Sequence, residues 1–266
     1  MSEQQRFDVW QAGPAYERHM GRWSRRVAER FTALSGHADG LRWLDVGCGT
    51  GALATVLATR CRPALVLGCD RSERLVTAAR DLSHGPVRFA VADARALPVP
   101  DGSFDAAVSG LTLNFLPDPA EGVAEMARAV RSGGRVAAYV WDYAEGMEVL
   151  RRFWDAAVAT DPEAAELDEG RRFPLCRPDP LHALWTRAGL RDVWVTPLVV
   201  PTVFTDLADL WSPFLAGQGP AAGYVADLAP EARDRLRDTL ATSLPEAPDG
   251  TIPLLARAWS VSGAKP

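Results

Sequence analysis

One segment constrains the fold of this chain more than any other: Trp43–Gly51 runs from an apolar stretch directly into a glycine-rich turn. The apolar positions of Leu41–Val46 predict a short buried strand, and those of Ala52–Thr59 predict a helix. Three glycines stand at alternate positions of the turn: Gly47, Gly49 and Gly51. Glycines permit positive φ and lack a Cβ, so a ligand can lie against the turn's amides near the positive helix end. The sequence therefore predicts a strand, turn and helix that bind a nucleoside-containing cofactor.

The rest of the chain repeats the alternation of strand and helix. The further apolar runs that read as strands are Leu65–Cys69, Val87–Val91, Phe104–Ser109, Arg135–Val140 after the Gly133-Gly134 break, a run within Arg191–Val200, and Leu254–Val261. Helical patterns separate most of them. This order predicts a Rossmann-like α/β fold: a doubly wound, mostly parallel seven-stranded sheet with helices on both faces and inserted lid segments.

Acidic residues follow the second and third strands. Asp70 stands where an acid can accept hydrogen bonds from both hydroxyls of a ribose. Two cofactors remain open at this point, because Gly47–Ala52 also satisfies the degenerate G-x-G-x-x-[GA] dinucleotide fingerprint. Asp93-Ala94 after the third strand, and Asp45 two residues before the first glycine, disfavour a nicotinamide cofactor.

Four segments in this order resemble the class I S-adenosylmethionine-dependent methyltransferases, in the branch with small-molecule acceptors. They are L-D-V-G-C-G-T-G at 44–51, the acid in G-C-D-R-S at 68–72, V-A-D-A-R-A-L-P-V-P-D-G-S-F-D at 91–105, and R-S-G-G-R-V at 131–136. The resemblance implies S-adenosylmethionine as cofactor and S-adenosylhomocysteine as product. It covers residues 41 to 140.

The resemblance also implies which residues bind the cofactor. Asp70 would hold the ribose hydroxyls, with Arg71 beside the adenine. Asp93 would accept from the adenine amino group while the Ala94 amide donates to the ring, and Ser109–Leu111 would line the methionine portion. The full set implied within residues 41–140 is Asp45, Gly47, Cys48, Gly49, Gly51, Asp70, Arg71, Asp93, Ala94, Ser109 and Leu111.

An N-terminal helix is predicted over residues 14 to 35, and its start resembles the segment that covers the cofactor in this family. Tyr16 and Arg22 would then contact the methionine end. Packing of Tyr16 and Trp23 on the sheet is the alternative. His19 would reach the methyl-transfer centre if this segment closes.

The acceptor site is expected beyond the carboxyl ends of the strands, where the chain leaves the fifth strand. The following extension predicts a helix near 148–159, a loop to about Asp179 and a helix near 180–188. Its apolar side chains would suit an aromatic or lipophilic metabolite, with ordinary core packing as the alternative for each one. The candidates are Trp141, Asp142, Tyr143, Met147, Phe173, Phe214 and Tyr224.

The length, composition and net charge of the chain limit its domain organisation and the kinds of partner we expect. The 266 residues, 47% apolar, predict a single domain: residues 1–40 as a helical cover, 41–140 as the cofactor-binding core and 141–266 as the remaining sheet with lid insertions. A net charge of −5 argues against a nucleic-acid partner. We find no secretory signal and no apolar run long enough for a membrane span, so we expect a cytoplasmic protein. Four cysteines without C-x-x-C or zinc spacing predict no metal site. The sequence carries no signal for an oligomeric state.

The expected reaction is in-line methyl transfer to a small acceptor, in secondary metabolism. Holding two reactants at near-attack distance contributes about 7–11 kcal/mol, so no catalytic triad is required. His19, His182 and Asp142 are candidate bases. The S-G-L-T-L-N-F loop lacks the acid-or-amide-Pro-Pro-aromatic tetrad of many DNA and protein methyltransferases. The alternatives are a nicotinamide oxidoreductase, or a protein that uses S-adenosylmethionine structurally or beside a cyclisation.

Overall fold

The computed structural model describes residues 21–34, 39–82, 85–216 and 219–266. Its strands are β1 (Arg42–Val46), β2 (Leu65–Asp70), β3 (Val87–Val91), β4 (Phe104–Gly110), β5 (Val130–Trp141), β6 (Arg191–Phe204) and β7 (Ile252–Ala264). Its α-helices are α1 (Arg22–Leu34), α2 (Ala52–Arg60), α3 (Glu73–Leu82), α4 (Pro119–Ala129), α5 (Glu148–Thr160), α6 (Glu169–Arg172), α7 (Pro178–Arg187), α8 (Leu207–Trp211), α9 (Gly219–Asp227) and α10 (Pro230–Thr242). Short 3₁₀ helices cover Leu113–Phe115, Pro162–Leu167 and Ser212–Ala216.

The seven strands form one sheet in the order β3-β2-β1-β4-β5-β7-β6. The pairs β1–β2, β1–β4, β2–β3 and β4–β5 are parallel. β7 runs opposite to β5, because Gly133 and Gly134 bond to Lys265 at one end of the pair while Asp142 bonds to Arg257 at the other. The strand order reverses at β1 and β4, which is where an open parallel sheet binds its ligands. The predicted Rossmann-like fold with a mostly parallel sheet is confirmed.

Local sequence explains how the elements around this point begin. β1 is buried along its apolar residues, whereas Arg42 at its start is exposed. Asp118 caps α4 by accepting hydrogen bonds from the N–H groups of Ala120 and Glu121, at 2.8 and 3.1 Å. Pro119 occupies the first helical position, where its missing N–H costs nothing. The helix cap at Asp118 therefore fixes the end of the loop that leads from β4 to α4.

Contacts divide the chain into two compact units, each assembled from separate stretches. We call residues 24–140, 175–198 and 258–266 the core unit. The described part of the second unit comprises residues 21–23, 141–174, 199–216 and 219–257. The single-domain interpretation, with its boundaries at 40 and 140, stays a prediction.

Several elements differ from their predicted bounds. β5 begins at Val130, and Gly133-Gly134 forms an irregularity inside it instead of a break. A Cβ on Gly134 would lie 2.5 Å from the Asp105 carbonyl oxygen, so only glycine fits this close approach. The predicted loop to Asp179 contains a 3₁₀ helix and α6, and β6 continues to Phe204. Gly219 begins α9, while residues 217 and 218 lie outside the described residues.

Candidate functional site

The glycine loop between β1 and α2 is held by hydrogen bonds to the end of β2. The N–H groups of Gly47 and Cys48 both donate to the Cys69 carbonyl, at 2.7 and 3.0 Å, and the Gly51 N–H donates to the Cys48 carbonyl at 2.8 Å. The Gly49 N–H donates to Asp70 Oδ2 at 3.0 Å. These four amides are therefore engaged within the protein. These hydrogen bonds shape the loop, and the expectation that a cofactor lies against it stays a prediction.

Gly47 and Gly49 serve different purposes in this loop. Gly47 has φ +74°, and a Cβ there would lie 2.2 Å from Thr112 Cγ2, so a side chain has no room. Gly49 has φ +54°, and a Cβ there would meet nothing within 4 Å. The space beside Gly49 is open, which lets a bulky ligand approach the backbone.

Asp45 lies at the centre of this site and is only 1% exposed. Burial raises the pKa of its carboxyl from 3.8 to about 7, the Ala54 amide partly offsets this rise, and the charge of Asp70 adds to it. Neither carboxylate oxygen receives a hydrogen bond of normal geometry from the described residues. A buried carboxylate without partners is costly, and a cationic ligand relieves that cost. S-adenosylmethionine, which carries an ammonium and a sulfonium, fits this requirement.

Each oxygen of the Asp70 carboxylate accepts a hydrogen bond from a backbone N–H group. Its Oδ2 accepts from the Gly49 N–H, and its Oδ1 accepts from the Ser72 N–H at 2.9 Å. A carboxylate has about four lone-pair sites, so each oxygen can still accept one more hydrogen bond. This is the arrangement that binding two ribose hydroxyls requires.

The same geometry disfavours a dinucleotide. A pyrophosphate needs free loop amides and the positive N-terminus of the following helix. Here the loop amides named above are engaged, and the chain's own Asp45 carboxylate faces Ala54 in the first turn of α2. A second anion at this place would be repelled.

Asp93 follows β3 and is bound by a residue that the sequence analysis did not single out. Arg95 donates to Asp93 Oδ1 from its backbone N–H at 2.9 Å and from Nε at 3.1 Å, and to Oδ2 from Nη2 at 2.8 Å. These bonds lower the pKa of Asp93 to about 2, with a smaller contribution from the charge of Arg71. One lone pair of Oδ2 remains for an adenine amino group. Ala94 is buried beside it.

The loop after β4 is bound directly to the glycine loop. Thr112 Oγ1 donates to the Gly47 carbonyl at 2.9 Å, which the sequence analysis missed. Leu111 adopts φ +59°, a conformation that is unfavourable for a residue with a Cβ. Ser109, at 0% exposure, has no hydrogen-bond partner for Oγ among the described residues. Strain and unpaired polar atoms concentrated at a strand end are typical of ligand sites.

The acceptor candidates belong to the second unit, where most are buried. Trp141 and Met147 are 2% and 0% exposed. The Tyr143 and Phe173 rings lie 5.5 Å apart, and Phe214 stacks on Phe153 at 4.4 Å. Tyr224 contacts Phe153 and donates its hydroxyl to Asp161 at 3.0 Å. Their role in acceptor binding stays a prediction.

The Asp142 carboxylate accepts hydrogen bonds from neighbouring residues of the second unit. Arg257 Nε donates to Asp142 Oδ2 at 2.6 Å, and the Glu145 N–H donates to Oδ1 at 3.1 Å. These bonds stabilise the turn after β5. Among the other candidate bases, His182 is exposed on α7. Tyr16 and His19 lie outside the described residues, as does the side chain of Arg22.

A buried acid that the sequence did not reveal lies at the start of α6. Glu169 is 2% exposed and accepts from Trp154 Nε1 at 2.5 Å. Burial raises the pKa of its carboxyl to about 7. Asp168 beside it is paired with Arg151 on α5, with Nη1 to Oδ2 at 2.8 Å. The D-E-G-R sequence reads as a polar loop, so no signal in it indicated burial.

The chain matches known proteins over the same region. A methyltransferase-domain family model matches residues 44–138. The chain is 36% identical to a 27-O-demethylrifamycin SV methyltransferase from Amycolatopsis mediterranei, covering 42% of this chain and 43% of the relative. It is also 36% identical to a malonyl-[acyl-carrier protein] O-methyltransferase from Geobacter sulfurreducens, covering 64% of each. In both cases the match spans less than two thirds of the relative's length.

The match covers a larger share of a demethylmenaquinone methyltransferase from Roseiflexus castenholzii. The two chains are 35% identical over 57% of this chain and 68% of the relative. Among solved structures, phosphoethanolamine N-methyltransferase 2 of Haemonchus contortus in complex with S-adenosyl-L-methionine has a TM-score of 0.59 at 19% identity, over 100% of this chain and 60% of that one. The [4+2]-cyclase SpnF has a TM-score of 0.50 at 21% identity, over 97% and 87%.

These findings agree with the geometry of the glycine loop, Asp45 and Asp70. The expected recognition is confirmed, as is S-adenosylmethionine as the cofactor of the family. The chain belongs to the class I S-adenosylmethionine-dependent methyltransferases.

Proposed function

We propose that this protein transfers the methyl group of S-adenosylmethionine to a small aromatic or lipophilic metabolite by in-line displacement. The observation that carries the proposal is Asp45: a buried carboxylate that receives no hydrogen bond of normal geometry from the residues described, next to a glycine loop with open space at Gly49. When bound, the cofactor supplies a methyl group on a positively charged sulfur. The cofactor-binding residues carried over from the family resemblance are part of this proposal.

The chain's own residues bind and orient. Asp45 offers negative charge to a cationic ligand, and Asp70 offers two lone pairs to a ribose. Asp93, oriented by Arg95, offers one lone pair to an adenine amino group. A group that only positions reactants can account for much of the rate, because geometry alone contributes about 7–11 kcal/mol. No side chain is therefore assigned as a base.

We infer the class of acceptor from the names of related proteins and from the aromatic side chains of this chain. Three curated relatives are named for reactions on a rifamycin, on malonyl-[acyl-carrier protein] and on demethylmenaquinone. Two of these names describe aromatic or lipophilic molecules, and the aromatic side chains from Trp141 to Tyr224 would suit such an acceptor. We extend the proposal to a cytoplasmic enzyme of secondary metabolism without a nucleic-acid partner, in keeping with the net charge of −5. No helix among the described residues is long and apolar enough to cross a membrane.

A second candidate function has one observation in its favour. The similarity to the [4+2]-cyclase SpnF is a reminder that this fold also occurs in an enzyme named for a cyclisation. A protein of this kind would bind S-adenosylmethionine without consuming it.

The test is calorimetry with S-adenosylmethionine, S-adenosylhomocysteine and NADH, followed by an acceptor screen that measures S-adenosylhomocysteine formation. We expect the first two ligands to bind and NADH to fail. Binding without turnover on any acceptor would favour the cyclase or structural alternative. Binding of NADH alone would make hydride transfer the leading function.

A further inference from the structure

Asn114 is the only asparagine in the chain, and its side chain has no hydrogen-bond partner in the part of the chain that the structure describes. The residue as a whole is half-buried, yet both Nδ2 and Oδ1 are shielded from solvent, and neither forms a hydrogen bond with any described residue. An amide buried in this way costs the fold free energy, so native proteins keep one where a ligand or water completes it. The amide therefore indicates a ligand contact.

The backbone around Asn114 is rigidly fixed. The Leu111 N–H donates to the Tyr139 carbonyl at 2.8 Å, and Thr112 Oγ1 binds the Gly47 carbonyl. The Phe115 N–H closes the short 3₁₀ helix by donating to the Thr112 carbonyl at 2.9 Å. Asn114 thus presents its amide from a fixed position, which is the condition under which a single polar group selects a ligand.

The chemistry of the amide favours the acceptor over the cofactor. A carboxamide both donates and accepts, which matches a neutral hydroxyl group. The ammonium of the cofactor is better served by the carboxylate of Asp45, and its carboxylate by cationic or N–H donors. Any acceptor must also reach the methyl-bearing end of the cofactor, and Ser109–Leu111, which the family resemblance assigns to that end, directly precede this turn.

We propose that Asn114 hydrogen-bonds a hydroxyl group of the acceptor and so positions the aromatic alcohol for methyl transfer. This inference rests on the proposed function and narrows its substrate class to hydroxylated acceptors. The carboxamide of Asn114 is neither acidic nor basic near neutral pH, so Asn114 acts as a positioning residue and not as a base.

The single asparagine permits a direct measurement. Cell-free synthesis with side-chain ¹⁵N-labelled asparagine gives one amide NH₂ pair in the NMR spectrum, which belongs to Asn114. We expect saturating S-adenosylhomocysteine to move this pair less than 1-naphthol added to the complex. Naphthalene, the matched probe without the hydroxyl, should leave the pair in place. Equal shifts with both probes, or a shift with S-adenosylhomocysteine alone, would overturn the proposal.

The variant Asn114→Leu keeps the branching of the side chain and removes both polar atoms. We expect affinity for 1-naphthol to fall about tenfold, as for the loss of one hydrogen bond of a desolvated group, with affinity for S-adenosylhomocysteine unchanged. The melting temperature should stay equal or rise, because a buried amide without partners has been removed. A fall of several degrees would show that the amide has protein partners, and unchanged 1-naphthol affinity would also reject the role. Failure of the wild-type protein to bind S-adenosylhomocysteine is a different result, which rejects the proposed function itself.

Discussion

The Gly49 N–H donates to Asp70 Oδ2 at 3.0 Å, so the acid that ends β2 is bound to the loop that follows β1. Asp70 fixes the backbone at the open position of the glycine loop, and the remaining lone pairs of its carboxylate can accept further hydrogen bonds there. Loss of this carboxylate should affect ligand binding through both.

The first prediction concerns Asp70→Ala. Hydrogen bonds to a charged group contribute about 1.5–3 kcal/mol, so we expect affinity for S-adenosylhomocysteine to fall about ten- to a hundredfold. Calorimetry measures this directly. Asp81→Ala, which removes an exposed acid from α3, serves as the control and should bind like the wild type. Unchanged affinity in a folded Asp70→Ala variant would reject the ribose-binding role.

The second prediction concerns the pH dependence caused by Asp45. Its pKa is raised to about 7, so the free protein holds a proton there at pH 6 and loses it by pH 8. A cationic ligand favours the ionised form, so affinity for S-adenosylmethionine should rise between pH 6 and 8, with proton release at the lower pH. In Asp45→Asn this dependence should disappear and affinity should fall. Calorimetry in buffers of different ionisation enthalpy measures the proton release.

The same shift in the pKa of Asp45 makes the free energy of unfolding depend on pH. A carboxyl whose pKa is raised on folding favours the folded state below its ordinary pKa of 3.8, and this contribution is lost as pH rises through about 7. At about 1.4 kcal/mol per pKa unit, the ionised group costs up to about 4 kcal/mol at pH 8. Asp45→Asn should therefore be more stable than the wild type at pH 8, and this advantage should shrink towards pH 5. Urea unfolding of the ligand-free proteins at both pH values checks this, and an advantage that grows towards pH 5 would contradict it.

The third prediction distinguishes the role of Asp93, which would bind the adenine amino group, from that of Arg95, which orients the Asp93 carboxylate. If Asp93 accepts from the adenine amino group, the wild-type protein should bind S-inosylhomocysteine, which lacks this amino group, about tenfold more weakly than S-adenosylhomocysteine. Asp93→Ala should lose part of this discrimination, because the Ala94 N–H still distinguishes the two rings. Arg95→Ala removes only the group that orients the acid, so we expect a smaller loss of discrimination. The Arg95–Asp93 side chains are 38% and 44% exposed, so the free energy of unfolding should change little.

The sequence was most informative where backbone conformation and strand order decide the structure. Strand β1, the turn glycines and Asp70 were all predictable, because alternate glycines after an apolar run permit few conformations. The sequence did not show that the loop amides bind Cys69, because backbone pairing between loops leaves no side-chain pattern. Thr112 and Asn114 were missed for a related reason: their importance depends on which groups they meet in space. Glu169 was missed because burial of an acid contradicts its usual surface preference.

The last prediction concerns the ion pair between Arg151 and Asp168 in the second unit, whose side chains are only 19% and 11% exposed. Removing one partner of such a pair leaves the other charged and poorly solvated, so Asp168→Asn should lower the free energy of unfolding by about 2–4 kcal/mol. Asp238→Asn breaks the exposed pair with Arg237, where the side chains are 69% and 38% exposed, and should change the free energy of unfolding little. Urea unfolding at pH 8 compares them. Equal effects of the two substitutions would mean that the Arg151–Asp168 pair is solvated, and that the start of α6 beside Glu169 is more open than the structure indicates.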